Sequence, residues 1–116
     1  MEHAELFDAL ARDRTIDITT TGAKSGRPRR IETWAWVDGG TLYLTGSPGR
    51  RDWYANLKSN PDLTVHLKRG ARADVPGRAR PIEDPAERRA VFSRVAGAYD
   101  LEAWIAGSPL VEVEFP

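Results

Sequence analysis

Hydrophobic and polar positions change period several times along the chain, and each change marks an element. Leu6 and Leu10 stand one helical turn apart with Phe7 beside them, which predicts a short helix over residues 4–12. Thr15 to Thr21 is rich in β-branched residues and stops at Gly22, the pattern of a strand. Ile31 to Val37 reads as a second strand. Asp38-Gly39-Gly40 is a hairpin turn signal and Thr41 to Thr45 the returning strand, so residues 31–45 are expected to form a hairpin. Gly46-Ser47-Pro48-Gly49 breaks it. Asp52 stands as the N-cap of a short helix over Trp53 to Asn60, which Pro61 ends.

Leu63, Val65 and Leu67 alternate with Thr64, His66 and Lys68, as in a half-buried strand. Residues 71–82 form a further strand, with a turn or bulge expected at Pro76-Gly77. Asp84-Pro85-Ala86-Glu87 combines an N-cap, a proline at the first helical position and an acid at the third. The helix it opens, near residues 85–98, aligns Val91 and Val95 with Phe92, Ala96 and Tyr99. Leu110 to Phe115 alternates as a last strand, with Glu112 and Glu114 on the side that faces water. Short strands without a regular βαβ repeat predict a mainly β protein with flanking helices. The expected architecture is a small antiparallel barrel of about six strands, one domain over residues 1–116.

Composition narrows the function. A chain of 116 residues that is 41% hydrophobic can build one ordinary core. Seventeen basic residues balance seventeen acidic ones, which argues against a general nucleic-acid or anionic-membrane surface. The chain has no cysteine, so disulfides, thiol catalysis and cysteine metal sites are excluded together, and a reducing compartment fits. His3 and His66 are the two histidines, and no dedicated transition-metal site is expected from them. His66, opposite the Leu63–Leu67 face, reads as a solvated or interface side chain. The acidic, amphipathic start is unlike a signal peptide, and no apolar run approaches the ~20 residues of a membrane helix. The expectation is a cytoplasmic protein with no integral membrane segment.

The local chemistry is less balanced than the whole. Residues 19–30 carry Lys24, Arg27, Arg29 and Arg30 between two glycines and a proline, with no acid among them. Such a loop can turn backbone amides and cationic side chains toward one anion, a phosphate on a small ligand above all. The alternative is a solvated hairpin loop. Gly22-Ala23-Lys24-Ser25 is not a nucleotide P-loop, because the six-residue frame is absent and a strand follows where a helix should. A second cluster runs from Arg50 to Leu57. Trp53 and Leu57 are one turn apart and suit the buried face of a short helix, while Asn56 beside Trp53 is not required by a core. Arg50 and Arg51 precede a helix N-terminus, which already favours an anion. Two basic loops near aromatic side chains suit a ligand with both a planar ring and phosphates.

Thr-Thr-Thr-Gly-x-Lys-Ser-Gly-x-Pro-Arg (19–29) followed by Trp-Tyr-x-Asn-Leu-Lys-x-Asn-Pro (53–61) resembles the deazaflavin-dependent nitroreductase and quinone-reductase family. The likeness continues to the closing Pro-Leu-Val-Glu-Val-Glu-Phe-Pro and covers roughly residues 15–116. That family resembles the pyridoxamine-phosphate-oxidase-like, flavin-binding split β-barrels, and its members deliver hydride from reduced coenzyme F-420. The resemblance implies an oxidoreductase that reduces a quinone, nitro compound or activated alkene. It implies that Lys24, Ser25 and Arg29 hold the coenzyme's phosphate, with Gly26 and Arg30 in the same loop and Arg51 beyond. Trp53 and Asn56 would line the deazaflavin, Ser47 and Gly49 would lie close to it, and Tyr99 near the substrate. A homodimer with the cofactor at its interface fits related barrels. The chain departs from the pattern at Ala23, where a second basic residue is common, and at Ile31-Glu32-Thr33. An FMN-dependent enzyme on the same barrel, or a flavin- or haem-binding module without turnover, are the other readings.

Overall fold

The computed structural model describes residues 1–95 and 100–116. The elements run α1 (His3–Asp13), β1 (Thr15–Thr21), β2 (Pro28–Trp34), β3 (Trp36–Asp38), β4 (Thr41–Thr45), α2 (Asp52–Ser59), β5 (Asp62–Leu67), β6 (Ala73–Pro81), α3 (Pro85–Val95), α4 (Leu101–Gly107) and β7 (Leu110–Glu114). Every strand pair is antiparallel, in the order β2-β1-β5-β6-β7-β4-β3. The two edge strands, β2 and β3, are consecutive in the chain and joined through Ala35 alone. The sheet therefore rolls until its edges meet at that residue but do not pair, which leaves a barrel with a split. Ala35 is fixed there by donating its N–H to the Arg14 carbonyl at 2.6 Å.

The rolled sheet encloses the main core. Ile16, Ile18, Leu44, Leu63, Val65 and Val111 are buried inside it, and Leu6, Leu10 and Leu57 close it from α1 and α2. A smaller core forms behind β4, where Tyr43 packs with Phe92, Val91 and Trp104 of α3 and α4. β4 is thus apolar on both faces, as a strand covered on both sides must be. Arg88 of α3 is buried and donates to the carbonyls of Ile82, Trp104, Ile105 and Ser108, tying α3 to the C-terminal end of α4 and to the segment that follows β6. A buried guanidinium needs such partners, because an unsatisfied one would cost several kcal/mol, on the order of a lost charged hydrogen bond.

The mainly β architecture agrees with the expectation, with four corrections. No turn or bulge interrupts β6 at Pro76-Gly77, where both residues pair in register with β5. The strand expected over Ile31–Val37 is two strands split at Ala35, so seven strands replace about six and only Trp36–Asp38 pairs with Thr41–Thr45. Residues 28–34 pair instead with β1. Arg51, not Asp52, occupies the N-cap of α2 and makes no side-chain cap bond, while Asp52 is the first helical residue and favours the helix dipole. Helix α4 had no counterpart; its cap is Asp100, which accepts from the Ala103 N–H at 3.1 Å. Asp84 does cap its helix, accepting from the Glu87 N–H at 2.9 Å. Ala96 and Tyr99 lie outside the described residues.

The outer face of β1, β2 and β5 is polar and interlocked. Lys68 donates to Asp17 Oδ1 at 2.6 Å and to Glu32, and Arg30 Nε donates to Asp17 Oδ2 at 3.0 Å. His66 lies on this face as expected, yet it is not solvated. It is 8% exposed, with Nε2 2.7 Å from Thr19 Oγ1 and Nδ1 2.7 Å from Asp74 Oδ1. The Lys68 ammonium, with Arg30 beside it, holds the Asp17 carboxyl below its ordinary value of 3.8. A depressed carboxylate pKa stabilises the fold above the unfolded value, and that contribution disappears as pH falls through the folded one. Asp17→Asn is expected to lower the urea midpoint at neutral pH and to approach wild type at an acid pH below the depressed folded value. An equal loss at both pH values would show that the charge is not what Asp17 contributes.

Candidate functional site

The split opens into a cavity of about 800 Å³, within the usual range for a small-molecule site of ~300–1,000 Å³. Three segments meet there: the β1–β2 hairpin loop, the end of β4 with the turn after it, and the start of α2. Lys24, Arg29, Arg50 and Arg51 line it against Glu32 and Asp52, so a chain of zero net charge presents a local cationic excess.

The β1–β2 loop owes its shape to two glycines and one serine. Gly22 donates to the Arg27 carbonyl at 2.8 Å, and Gly26, at φ 69°, donates to the Gly22 carbonyl at 2.9 Å. A Cβ on Gly22 would lie 2.5 Å from Ser25 Oγ and 3.3 Å from the Arg27 carbonyl oxygen, so only glycine fits without a shift. Ser25 Oγ accepts from the Arg27 N–H at 3.1 Å, which leaves its own O–H to donate. The Ala23 N–H is taken by Asn56 Oδ1 at 2.9 Å. Among the described residues the Lys24 and Ser25 amides at the loop tip keep no partner. The loop therefore offers two backbone donors rather than its whole length.

Pleating then separates the two arginines that follow. Arg29 faces the cavity, whereas Arg30 is committed to Asp17 on the opposite side of β2 and lies outside the lining. Among the described residues Lys24, Arg29 and Arg50 have no ion-pair partner, and all three line the cavity. Cations without an ion-pair partner gathered around one concavity suit an anionic group.

Arg51 is held by its own loop. Its Nη2 donates to the Ser47 carbonyl at 3.1 Å and reaches Ser47 Oγ at 3.4 Å. A Cβ on Gly46 or Gly49 would approach its guanidinium to 3.1 or 3.2 Å. Gly49, at φ 140°, also donates to the Gly107 carbonyl at 3.0 Å. Ser47 and Gly49 thus shape the arginine and do not themselves line the cavity, while Gly46 does. Trp53 is 8% exposed, packs in the main core and still presents a surface to the cavity. Its two readings, core and wall, are not exclusive.

Sequence reasoning brought Lys24, Ser25, Arg29, Arg51, Trp53 and Asn56 together, and the structure places all six on this cavity. Gly26 shapes the loop without lining it, and Tyr99 is outside the described residues. Other lining residues were not assigned to the site from sequence, among them Thr20, Trp34 and Thr45. Trp34, 56% exposed on the edge strand, could have been found as an aromatic just after a basic loop. Among the described residues no group of three or more histidines and carboxylates could hold a metal, and no helix is long and apolar enough to cross a membrane.

The profile of the F-420H(2)-dependent quinone reductase family matches residues 4–103. A curated F-420H(2)-dependent quinone reductase of Mycobacterium tuberculosis is 36% identical over 52 residues. That match takes in 41% of this chain and only 35% of the relative's length. An F-420-H2 dependent reductase structure is 28% identical with a TM-score of 0.62, covering 87% of this chain and 94% of that one. A second structure, a domain-swapped dimer, is also 28% identical with a TM-score of 0.61, covering 87% of this chain and 80% of its own. A Listeria innocua protein assigned to the pyridoxamine 5'-phosphate oxidases overlays with a TM-score of 0.74 over 97% of this chain and 92% of its own. At 13% identity it speaks for the fold alone, a split β-barrel. With a family profile spanning most of its length, this chain belongs to the F-420H(2)-dependent quinone reductase family.

Proposed function

We propose that the protein is an oxidoreductase that transfers hydride from reduced deazaflavin coenzyme F-420 to a small organic acceptor, a quinone, nitro compound or activated alkene. One observation carries the reading: Lys24 and Arg29, without ion-pair partners among the described residues, share a cavity with Trp53. The donor set suits a ligand that is anionic at one end and planar at the other. Lys24, Arg29, the Ser25 hydroxyl and the two loop-tip amides would hold the phosphate, and Trp53 would wall the ring. The bound coenzyme supplies the hydride. The chain's own task is then positioning and exclusion of water, which needs no protein base. That matches a cavity whose titratable groups are mostly cations.

The family membership and the 28% identical reductase support the same cofactor. Assembly as a homodimer is supported by the domain-swapped neighbour, and light scattering giving twice the chain mass would establish it. The activity test is oxidation of the reduced coenzyme, followed by absorbance, with a panel of quinones, nitro compounds and enones. Turnover with at least one acceptor class is expected. Binding without turnover across the panel would leave a ligand-binding module instead.

A further inference from the structure

We infer that Asn56 is a positioning residue that locks the phosphate-holding loop onto the helix carrying the ring wall. The inference rests on the cofactor reading above and assigns Asn56 a part other than contact with the ring. Its amide is already committed on both sides. Oδ1 accepts from the Ala23 N–H at 2.9 Å, and Nδ2 donates to Thr20 Oγ1 at 3.1 Å. The side chain is 7% exposed and Thr20 only 1%, so water does not compete for the Thr20 bond. These two bonds join positions 36 and 33 residues apart in the chain.

The consequence follows from the placement of the three parts. Trp53 precedes Asn56 by one helical turn on α2, and α2 is seated in the core through Trp53 and Leu57. Lys24 and Ser25 follow Ala23 at the tip of the loop. Fixing Ala23 to α2 therefore fixes the phosphate donors at one separation from the ring wall. Beyond its internal bonds among Gly22, Ser25, Gly26 and Arg27, the described residues show no other hydrogen bond that ties the exposed loop tip to the rest of the fold. Preorganisation of this kind removes an ordering cost from binding.

The test compares two ligands and one amide. Asn56→Ala is expected to weaken binding of coenzyme F-420 by about tenfold or more, from loss of charge-assisted contacts. Binding of the deazaflavin chromophore that lacks the phosphate is expected to stay within about twofold, because the loop does not touch it. A contact between Asn56 and the ring would lower both affinities alike and overturn the inference. Thr20→Val, which keeps the shape and removes the acceptor, should act in the same direction, and Thr20→Ser should restore wild-type binding. Hydrogen exchange reads the latch without any ligand: the Ala23 amide should lose protection in Asn56→Ala while the strand amides keep theirs. Unchanged protection of Ala23 would overturn the latch whatever the protein binds. A wild-type protein that binds neither ligand, with Ala23 still deprotected in the variant, would remove the cofactor reading and retain the latch.

Discussion

Lys24→Ala and Arg29→Ala are each expected to weaken coenzyme F-420 binding ten- to a hundredfold while leaving the melting temperature near wild type. Both side chains line the cavity, both are exposed, and neither has an ion-pair partner among the described residues. Their removal breaks nothing in the fold, so the cost falls on the ligand. A charge-assisted contact to phosphate is worth ~1.5–3 kcal/mol, which corresponds to that range of affinity. The effect should shrink with added salt, since exposed charges are screened within ~10 Å at about 0.1 M. Arg30→Ala is the internal control. Its guanidinium lies on Asp17, away from the cavity, so its loss should cost stability more than affinity. Fluorescence titrations of the three variants, with thermal melts, separate the cases. Equal affinities for all three would remove the loop from ligand binding.

The largest effect on stability is expected at Trp53. The indole is in the main core, edge-on to Tyr54 with ring centroids 6.0 Å apart. Truncation to alanine leaves a void that the α2 helix cannot close, at a cost of roughly 3–5 kcal/mol. That is a large share of the ~5–15 kcal/mol that holds a typical domain folded. Urea unfolding should show it as a lower midpoint with little change in slope. Trp53→Phe keeps an aromatic in the core and is the variant for binding. It is expected to remain folded at 25 °C and to lose coenzyme affinity, because the shorter ring leaves part of the cavity wall uncovered. Normal affinity in folded Trp53→Phe would confine this residue to the core.

The parts of this fold that can be read in the chain are those whose cause is local. Leu63, Val65 and Leu67 alternate and are buried in that alternation, and Asp84 caps the helix that its own neighbours begin. The basic loop is equally local, since its glycines and its charges lie within a few residues. Ala35 was invisible because Thr-Trp-Ala-Trp-Val keeps alternating through the break. What interrupts the strand is the Arg14 carbonyl, brought in by the αL residue that ends α1. The interior place of Arg88 was invisible for a similar reason. Its partners are four carbonyls, three from the end of α4 and one from Ile82 before α3, and an arginine in a helix otherwise suggests solvent. The double commitment of Asn56 depends on a loop 33 residues earlier, which no spacing rule connects to it. Local pattern therefore gave the cavity's charged and aromatic members, while the groups that hold them in place came only with the fold.

The most direct measurement is a titration of coenzyme F-420 fluorescence with purified protein at low salt, read beside the absorbance spectrum of the protein as isolated. Binding of the deazaflavin by its phosphate and its ring predicts saturable quenching at one coenzyme per chain, progressively weakened by salt, from a protein that carries no yellow chromophore. A protein isolated with FMN in place, whose addition leaves the coenzyme's fluorescence unchanged, would contradict it.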